Sequence, residues 1–275
     1  LFSDVQKEKF RKIGQSLINK RLSGEYDNNL PYMKLNQFNK KLESSDLLNN
    51  KKKKIFIFPH CYFDNPHKYR WMIFTDFYEQ VRFLLNLSKE TNDEFQWYYK
   101  PHPNELNKDL DLHTDILKDY PNVFYLNKSV GHNHIINSKP DLLISNHGKV
   151  CHEYAYNNIP VINTGDNAHI NYNFSLNPKN KLELRDMVLN INKFKNKIDF
   201  NKDQIHEYLF MDFHYYNNKY NKNENFEERF FSSEDINVNN SSKVYKYFLE
   251  NLNKEKEQKI NKYLELFYKD NFFIN

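Results

Sequence analysis

Lys100-Pro101-His102-Pro103 is the segment of this sequence best suited to chemistry. Two prolines restrict the backbone, so an ammonium and an imidazole are held in set directions at low entropic cost. Beside a helix N-terminus, that pair suits a phosphate or pyrophosphate. The plain alternative is a strand that stops at a proline pair, with His102 bonded to a nearby carbonyl. Ser145-Asn146-His147-Gly148 is the second such segment. Gly148 allows the chain to turn close to a ligand, and a helix after it would offer free N–H groups to an anion. Glu153, one helical turn further on, could accept hydrogen bonds from both hydroxyls of a ribose. The competing reading of Glu153 is a solvated carboxylate on a surface helix, and His152 beside it reads as surface or packing.

The stretch from Pro59 to His67 forms the expected lip of the same cleft. Asp64 is the first candidate for a general base and His60 the second catalytic candidate, with His67 behind them. A base needs a tuned pKa and hydrogen-bond reach to an acceptor hydroxyl. The ionisable residues here match no zinc spacing, HExxH is absent, and no DxD pair stands at a strand end, so no metal is expected. G-x-S-x-G, Walker A and GxGxxG are also absent, which argues against serine hydrolases, P-loop enzymes and dehydrogenases.

Composition sets the remaining limits. The 275 residues include 20 Tyr and 23 Phe, enough apolar material for a packed core. A mean hydropathy of −0.90 reflects heavy use of Asn and Lys, a bias that matches an AT-rich coding sequence and is not a functional signal. The net charge of +4 is mild, and no basic stripe with interleaved aromatics occurs, so a nucleic-acid partner is not expected. Cys61 and Cys151 form no CxxC or disulfide framework, which fits a reducing compartment. No stretch is long and apolar enough to span a membrane, and the start at Leu1 points to a piece of a longer protein.

The elements that position these residues follow from periodicity. A polar-rich helix is expected over 4–22, with Phe10, Ile13, Leu17 and Ile18 on one stripe, and 23–50 reads as a linker. Ile55-Phe56-Ile57-Phe58, ended by Pro59, marks a strand buried on both faces. A helix over 75–91 with Thr75 as N-cap follows, then a strand over 95–99. The next helix, capped by Asn104 or Asn107, runs to about residue 120. Strands are expected at 123–126, 142–145 and 161–163, and helices at 132–138, 149–157 and 181–193. Past 200 the alternation stops, with helical stretches at 202–212 and 242–268 around an Asn/Ser-rich segment. This pattern implies an α/β, Rossmann-like parallel sheet with right-handed crossovers. The expected division is a helical lead-in and linker over 1–50, a nucleotide-binding domain over 51–200 and a helical extension over 201–275. Ligands of such sheets bind at the carboxyl ends of the strands, where both motifs fall.

With these motifs in this order, roughly residues 54–195 resemble the C-terminal domain of bacterial capsule polysaccharide transferases of GT-B type. The resemblance extends to Kdo-transferase-like proteins and, more distantly, to CDP-glycerol glycerophosphotransferases and bacterial sialyltransferases. It places His102 and Pro103 on the family's His-Pro motif, Ser145, Asn146, His147 and Gly148 on its second motif, and Glu153 on its acidic helix position. The second motif ordinarily carries consecutive Ser or Thr, and here Asn146-His147-Gly148 stands instead. The resemblance implies a metal-independent glycosyltransferase without cofactor, using a nucleotide-activated, CMP- or CDP-type sugar donor. It implies a glycan or lipid-linked glycan acceptor, a cytoplasmic location, and a peripheral place in a capsule assembly complex at the inner membrane face. A transferase moving a CDP-linked phospho-group such as glycerol phosphate, and a non-catalytic nucleotide-binding domain, remain open alternatives. Residues 1–50 are too short and strand-poor to supply the family's first Rossmann-like domain, which would hold the acceptor.

Overall fold

Five short runs of aromatic and branched residues form the sheet in the computed structural model of this protein. The structure describes residues 3–25, 36–44, 47, 52–62 and 72–215, without the side chains of 107–109 and 213–215. Asp64, His67 and the expected helix over 242–268 lie outside the described residues. Helix α1 covers Asp4–Leu22. The strands are β1 (Lys53–Phe58), β2 (Phe95–Tyr99), β3 (Val123–Tyr125), β4 (Leu142–Ser145) and β5 (Val161–Asn163). They pair in parallel in the order β3-β2-β1-β4-β5. Because side chains alternate along a strand, Ile55, Ile57, Trp97, Tyr99 and Ile144 enter one core while Phe56, Phe58, Tyr98 and Leu143 enter the other. Helices α2 (Phe77–Glu90), α3 (Asn107–Leu117), α6 (Lys181–Leu189) and α7 (Ile191–Lys195) cover the first face; α4 (His132–Asn137) and α5 (Val150–Tyr156) cover the second. This is a Rossmann-like α/β fold. Strand order grows outward from β1 through β2 to β3, then resumes on the other side of β1 with β4 and β5. The switch point lies between the carboxyl ends of β1 and β4, where open sheets of this kind bind their ligands.

Several boundaries differ from the sequence expectation, each for a local reason. Asp76, not Thr75, caps α2: its carboxylate accepts from the Glu79 N–H, while Thr75 donates to the Glu79 carboxylate. Neither Asn104 nor Asn107 caps α3, whose N-cap Leu106 makes no side-chain bond; the Asn104 N–H is turned towards His102 Nδ1 instead. The helix expected over 181–193 breaks at Asn190 into α6 and α7. The helix expected over 202–212 is α8 (Lys202–Leu209) followed by a π turn over Phe210–Tyr215.

Helix α1 is tied to α8. Gly14 sits where the two backbones meet, and a Cβ there would stand 1.9 Å from the His206 carbonyl oxygen. Arg11 pairs with Glu207 and Asp203, and the Phe10 and Phe210 rings stack 4.0 Å apart. Ile18 of α1, Ala155 of α5, and Ile205 and Leu209 of α8 share one buried cluster. Among the described residues, no helix is long and apolar enough to cross a membrane.

Candidate functional site

The switch point brings three histidines together, one from each strand end. His60 follows β1, His102 follows β2 and His147 follows β4. The His60 ring centroid is 5.7 Å from that of His102 and 6.1 Å from that of His147, and it stacks on Phe77 of α2 at 4.9 Å. His60 therefore joins the two motifs that the sequence presented separately. The joint is fixed by the sheet: the Lys100 N–H bonds Ile57 O at 3.1 Å and the Thr164 N–H bonds Ser145 O at 3.0 Å, extending the ladder past the strand ends.

Lys100 is the most unusual group at this edge. It is only 2% exposed. Its ammonium donates to Lys128 O at 3.0 Å and lies 5.8 Å from the centre of the Phe58 ring. Among the described residues no carboxylate is paired with it. Burial alone pushes its pKa down to about 7. An ammonium held dry, with one carbonyl as its hydrogen-bond acceptor among the described residues, can receive an anion.

His102 is a neutral donor. Its Nδ1 lies 3.3 Å from the Asn104 N–H, which can only donate, and 3.3 Å from Cys61 Sγ. Nδ1 is thus the acceptor, and hydrogen-bonding logic assigns the ring proton to Nε2. Burial, then the charges of His60 and Lys100, push its pKa down to about 3, so the ring stays neutral at physiological pH. Pro103 follows in the turn, half-buried.

The second motif is largely committed to holding the edge. The Ser145 hydroxyl is buried and donates to Phe58 O at 3.1 Å, so its single proton is spent inside the protein. Asn146 is buried and its Oδ1 accepts from the Thr164 hydroxyl at 3.3 Å. Its Nδ2 has no partner among the described residues. His147 Nδ1 lies 2.6 Å from Asp166 O. Gly148 has φ of +127°, a region that disfavours any side chain, although the space beside it is open.

The surface reading of Glu153 is corrected. It is 0% exposed, so it is no solvated surface carboxylate. Oε1 is bound by Arg21 Nε of α1 at 2.6 Å, while Oε2, 3.9 Å from His132 Nδ1, has no hydrogen-bond partner among the described residues. The desolvation that opposes its charge is outweighed by Arg21 and His132, leaving the carboxyl below its ordinary range. His152 is buried, its ring 5.2 Å from that of Tyr208 and 6.4 Å from that of His169. Among the described residues no group of three His, Cys, Asp or Glu is arranged to hold a metal ion.

Sequence reasoning missed four contributors: Cys61, Phe77, Lys128 and His132. Lys128 follows β3, and its ammonium donates to Glu105 O at 2.8 Å while its carbonyl receives Lys100. His132 is buried against Phe58 and Tyr154 with its pKa pushed down to about 3, first by burial and then by Lys100. Cys61 and Lys128 carried a signal, their position just past a strand's carboxyl end; Phe77 and His132 carried none.

No protein-family model matches the chain, and no curated protein matches it. Among solved structures, the chain is similar to a UDP-GlcNAc 2-epimerase from Neisseria meningitidis bound to UDP-GlcNAc. That likeness covers 66% of this chain and 49% of the epimerase, at 14% identity and a TM-score of 0.43. It is also similar to the wall teichoic acid polymerase TagF, over 72% of this chain and 45% of the polymerase, at 16% identity and a TM-score of 0.37. The chain spans about half the length of these solved structures.

Proposed function

We propose that this chain is the nucleotide-binding half of a metal-independent GT-B-type glycosyltransferase of capsule or other surface polysaccharide synthesis, with a cytidine-linked sugar as donor. The observation that carries the reading is Lys100, buried at the carboxyl end of β2 with its ammonium bonded to a backbone carbonyl. The donor's phosphates are the counter-ion. Their arrival raises the Lys100 pKa, draws in a proton where it is still missing, and returns a charge pair to a dry site where it is strong. His102, neutral, donates through Nε2 to a phosphate oxygen. As the sugar leaves, negative charge builds on the nucleotide phosphate, and the same two groups stabilise it more than they did the bound donor. The cytidine and capsule assignments are supported by the resemblance of the Lys-Pro-His-Pro and Ser-Asn-His-Gly motifs. The acceptor is a glycan or lipid-linked glycan.

Thermal shift with CMP, CDP, UDP, GDP and ADP tests the reading. CMP and CDP should raise the melting temperature, and His102→Ala should abolish the rise. No shift with any nucleotide sinks it. Mass spectrometry of products then separates sugar transfer from transfer of a glycerol phosphate-like group.

A further inference from the structure

Two buried imidazoles stand where α5, α8 and the segment after β5 meet. His152 of α5 is 2% exposed, and His169, past the end of β5, is 0% exposed. Their ring centroids lie 6.4 Å apart, and the Tyr208 ring of α8 packs on both, 5.2 Å from His152 and 5.6 Å from His169. Phe174 packs on His169 at 5.0 Å. His152 Nδ1 and both ring nitrogens of His169 are buried without a hydrogen-bond partner among the described residues.

The charged and titratable groups around the pair offer it no anion. Lys149 at the start of α5 and Arg21 of α1 oppose a proton on His152, and His147 and His152 oppose one on His169. Glu153, next to His152 in the chain, is bound by Arg21 Nε at 2.6 Å. Asp212 of the π turn accepts from the Tyr208 hydroxyl at 3.1 Å, and among the described residues no carboxylate acts on either ring. Burial raises the Cys151 thiol and the Tyr208 phenol, so neither supplies a negative charge. His206, also on α8, differs: Asp203 lies 3.7 Å from its Nδ1.

A neutral imidazole carries one N–H and one lone pair; a protonated one carries two N–H groups and a charge. Here the added charge would be dry and the added donor unmet. Burial therefore holds both rings neutral in the fold, well below their ordinary range. Once α8 lifts away and water reaches the rings, they take protons at the ordinary value of about 6.5. The folded values lie below the open-state ones, so the closed packing is at full strength above about pH 6.5 and weakens as pH falls below it.

We propose that His152 and His169 form an acid-sensitive latch, which keeps α8 and α1 on the sheet at neutral pH and releases both together in acid. Helix α1 follows α8 because Gly14 lets the two backbones meet and Arg11 pairs with Asp203 and Glu207 of α8. Release also withdraws Arg21 of α1 from Glu153. The latch is independent of what binds at the switch point.

Amide hydrogen exchange across pH, corrected for the intrinsic rate, tests it. Between about pH 7.5 and 5.5 the opening of α1 and α8 should rise about tenfold per ring, about 100-fold for the pair, while the amides of β1 and β2 stay protected. His169→Phe keeps a ring against Tyr208 and Phe174 without a titrating nitrogen, and should cut the rise to about tenfold. An unchanged rise in that variant, or α1 and α8 opening no faster in acid than the strands, overturns the latch. NMR of the imidazole rings in the unaltered chain decides the matter if the variant fails to fold. Both rings should stay neutral until α8 opens, and a ring that takes its proton at about pH 6.5 with α8 still protected also overturns the latch.

Discussion

Replacing Lys100 with methionine should make the protein more stable and unable to bind its anion. The folded pKa of about 7, against an ordinary 10.5, comes from burial. At 1.36 kcal/mol per unit, holding the ammonium in the fold costs about 5 kcal/mol below pH 7. Methionine fills similar volume without charge but abandons Lys128 O, a buried carbonyl whose lost bond costs about 1–3 kcal/mol. The net expectation is a gain of roughly 2–4 kcal/mol at pH 6, or about 5–10 °C in Tm. The sign with pH is fixed by linkage. The unfolded chain holds the Lys100 proton up to about pH 10.5 while the folded chain releases it near 7, so wild-type stability climbs between those limits. By pH 9 the penalty falls to about 2 kcal/mol, and the two proteins should differ by about 1 kcal/mol or less. Urea melts of both proteins at pH 6, 7.5 and 9 read this out, with CDP titrations alongside. A Lys100→Met protein that is less stable at pH 6, or a gap independent of pH, refutes the buried-charge argument. Undiminished CDP binding refutes the anion site.

Further outcomes follow from the same geometry. Anion binding at pH 7 should draw up to about half a proton onto Lys100, seen by calorimetry as a binding heat that varies with buffer ionisation enthalpy; a buffer-independent heat contradicts it. Glu153→Gln leaves Arg21 buried without its carboxylate and should cost about 3 kcal/mol in a urea melt. Gly14→Ala forces a Cβ against the His206 carbonyl and should cost about 1–3 kcal/mol, read as a lowered Tm. The Lys181 ammonium and Thr75 hold the Glu79 carboxyl down near 2, so its stabilisation is full above pH 4.5 and fades as pH falls through about 2. The pair is partly exposed, and Glu79→Gln should cost about 1 kcal/mol or less at pH 7, with the difference disappearing in acid melts.

The strands were legible because both their faces are buried. Ile55–Phe58 and Leu142–Ser145 pack into two cores at once and so read as unbroken apolar runs. Helix ends were less legible, since one hydrogen bond decides them: Asp76 and Thr75 are both good caps by type, and only the geometry towards Glu79 chose between them. The edge that gathers both motifs was legible for the same reason as the strands, because residues at strand ends collect on one edge of a parallel sheet. The state of each group there was not. Lys100 is dry because Phe58 of β1 and Lys128, which follows β3, close over it. Glu153 is engaged because Arg21, 132 positions earlier, reaches it from α1. Contacts across that separation leave no trace in local spacing.

Charge balance explains why these hidden contacts bear on function. Glu153 would be the natural counter-ion for a buried lysine, since both lie near His132, whose pKa feels Lys100, Glu153 and Arg21 together. Arg21 has taken that carboxylate at 2.6 Å. Among the described residues Lys100 has no carboxylate paired with it, and it stands at the carboxyl edge. The neighbouring histidines supply no negative charge in either protonation state. On the proposed reading, the internal ion pair commits the Glu153 carboxylate to Arg21, and a donor phosphate would take the place of a counter-ion beside Lys100.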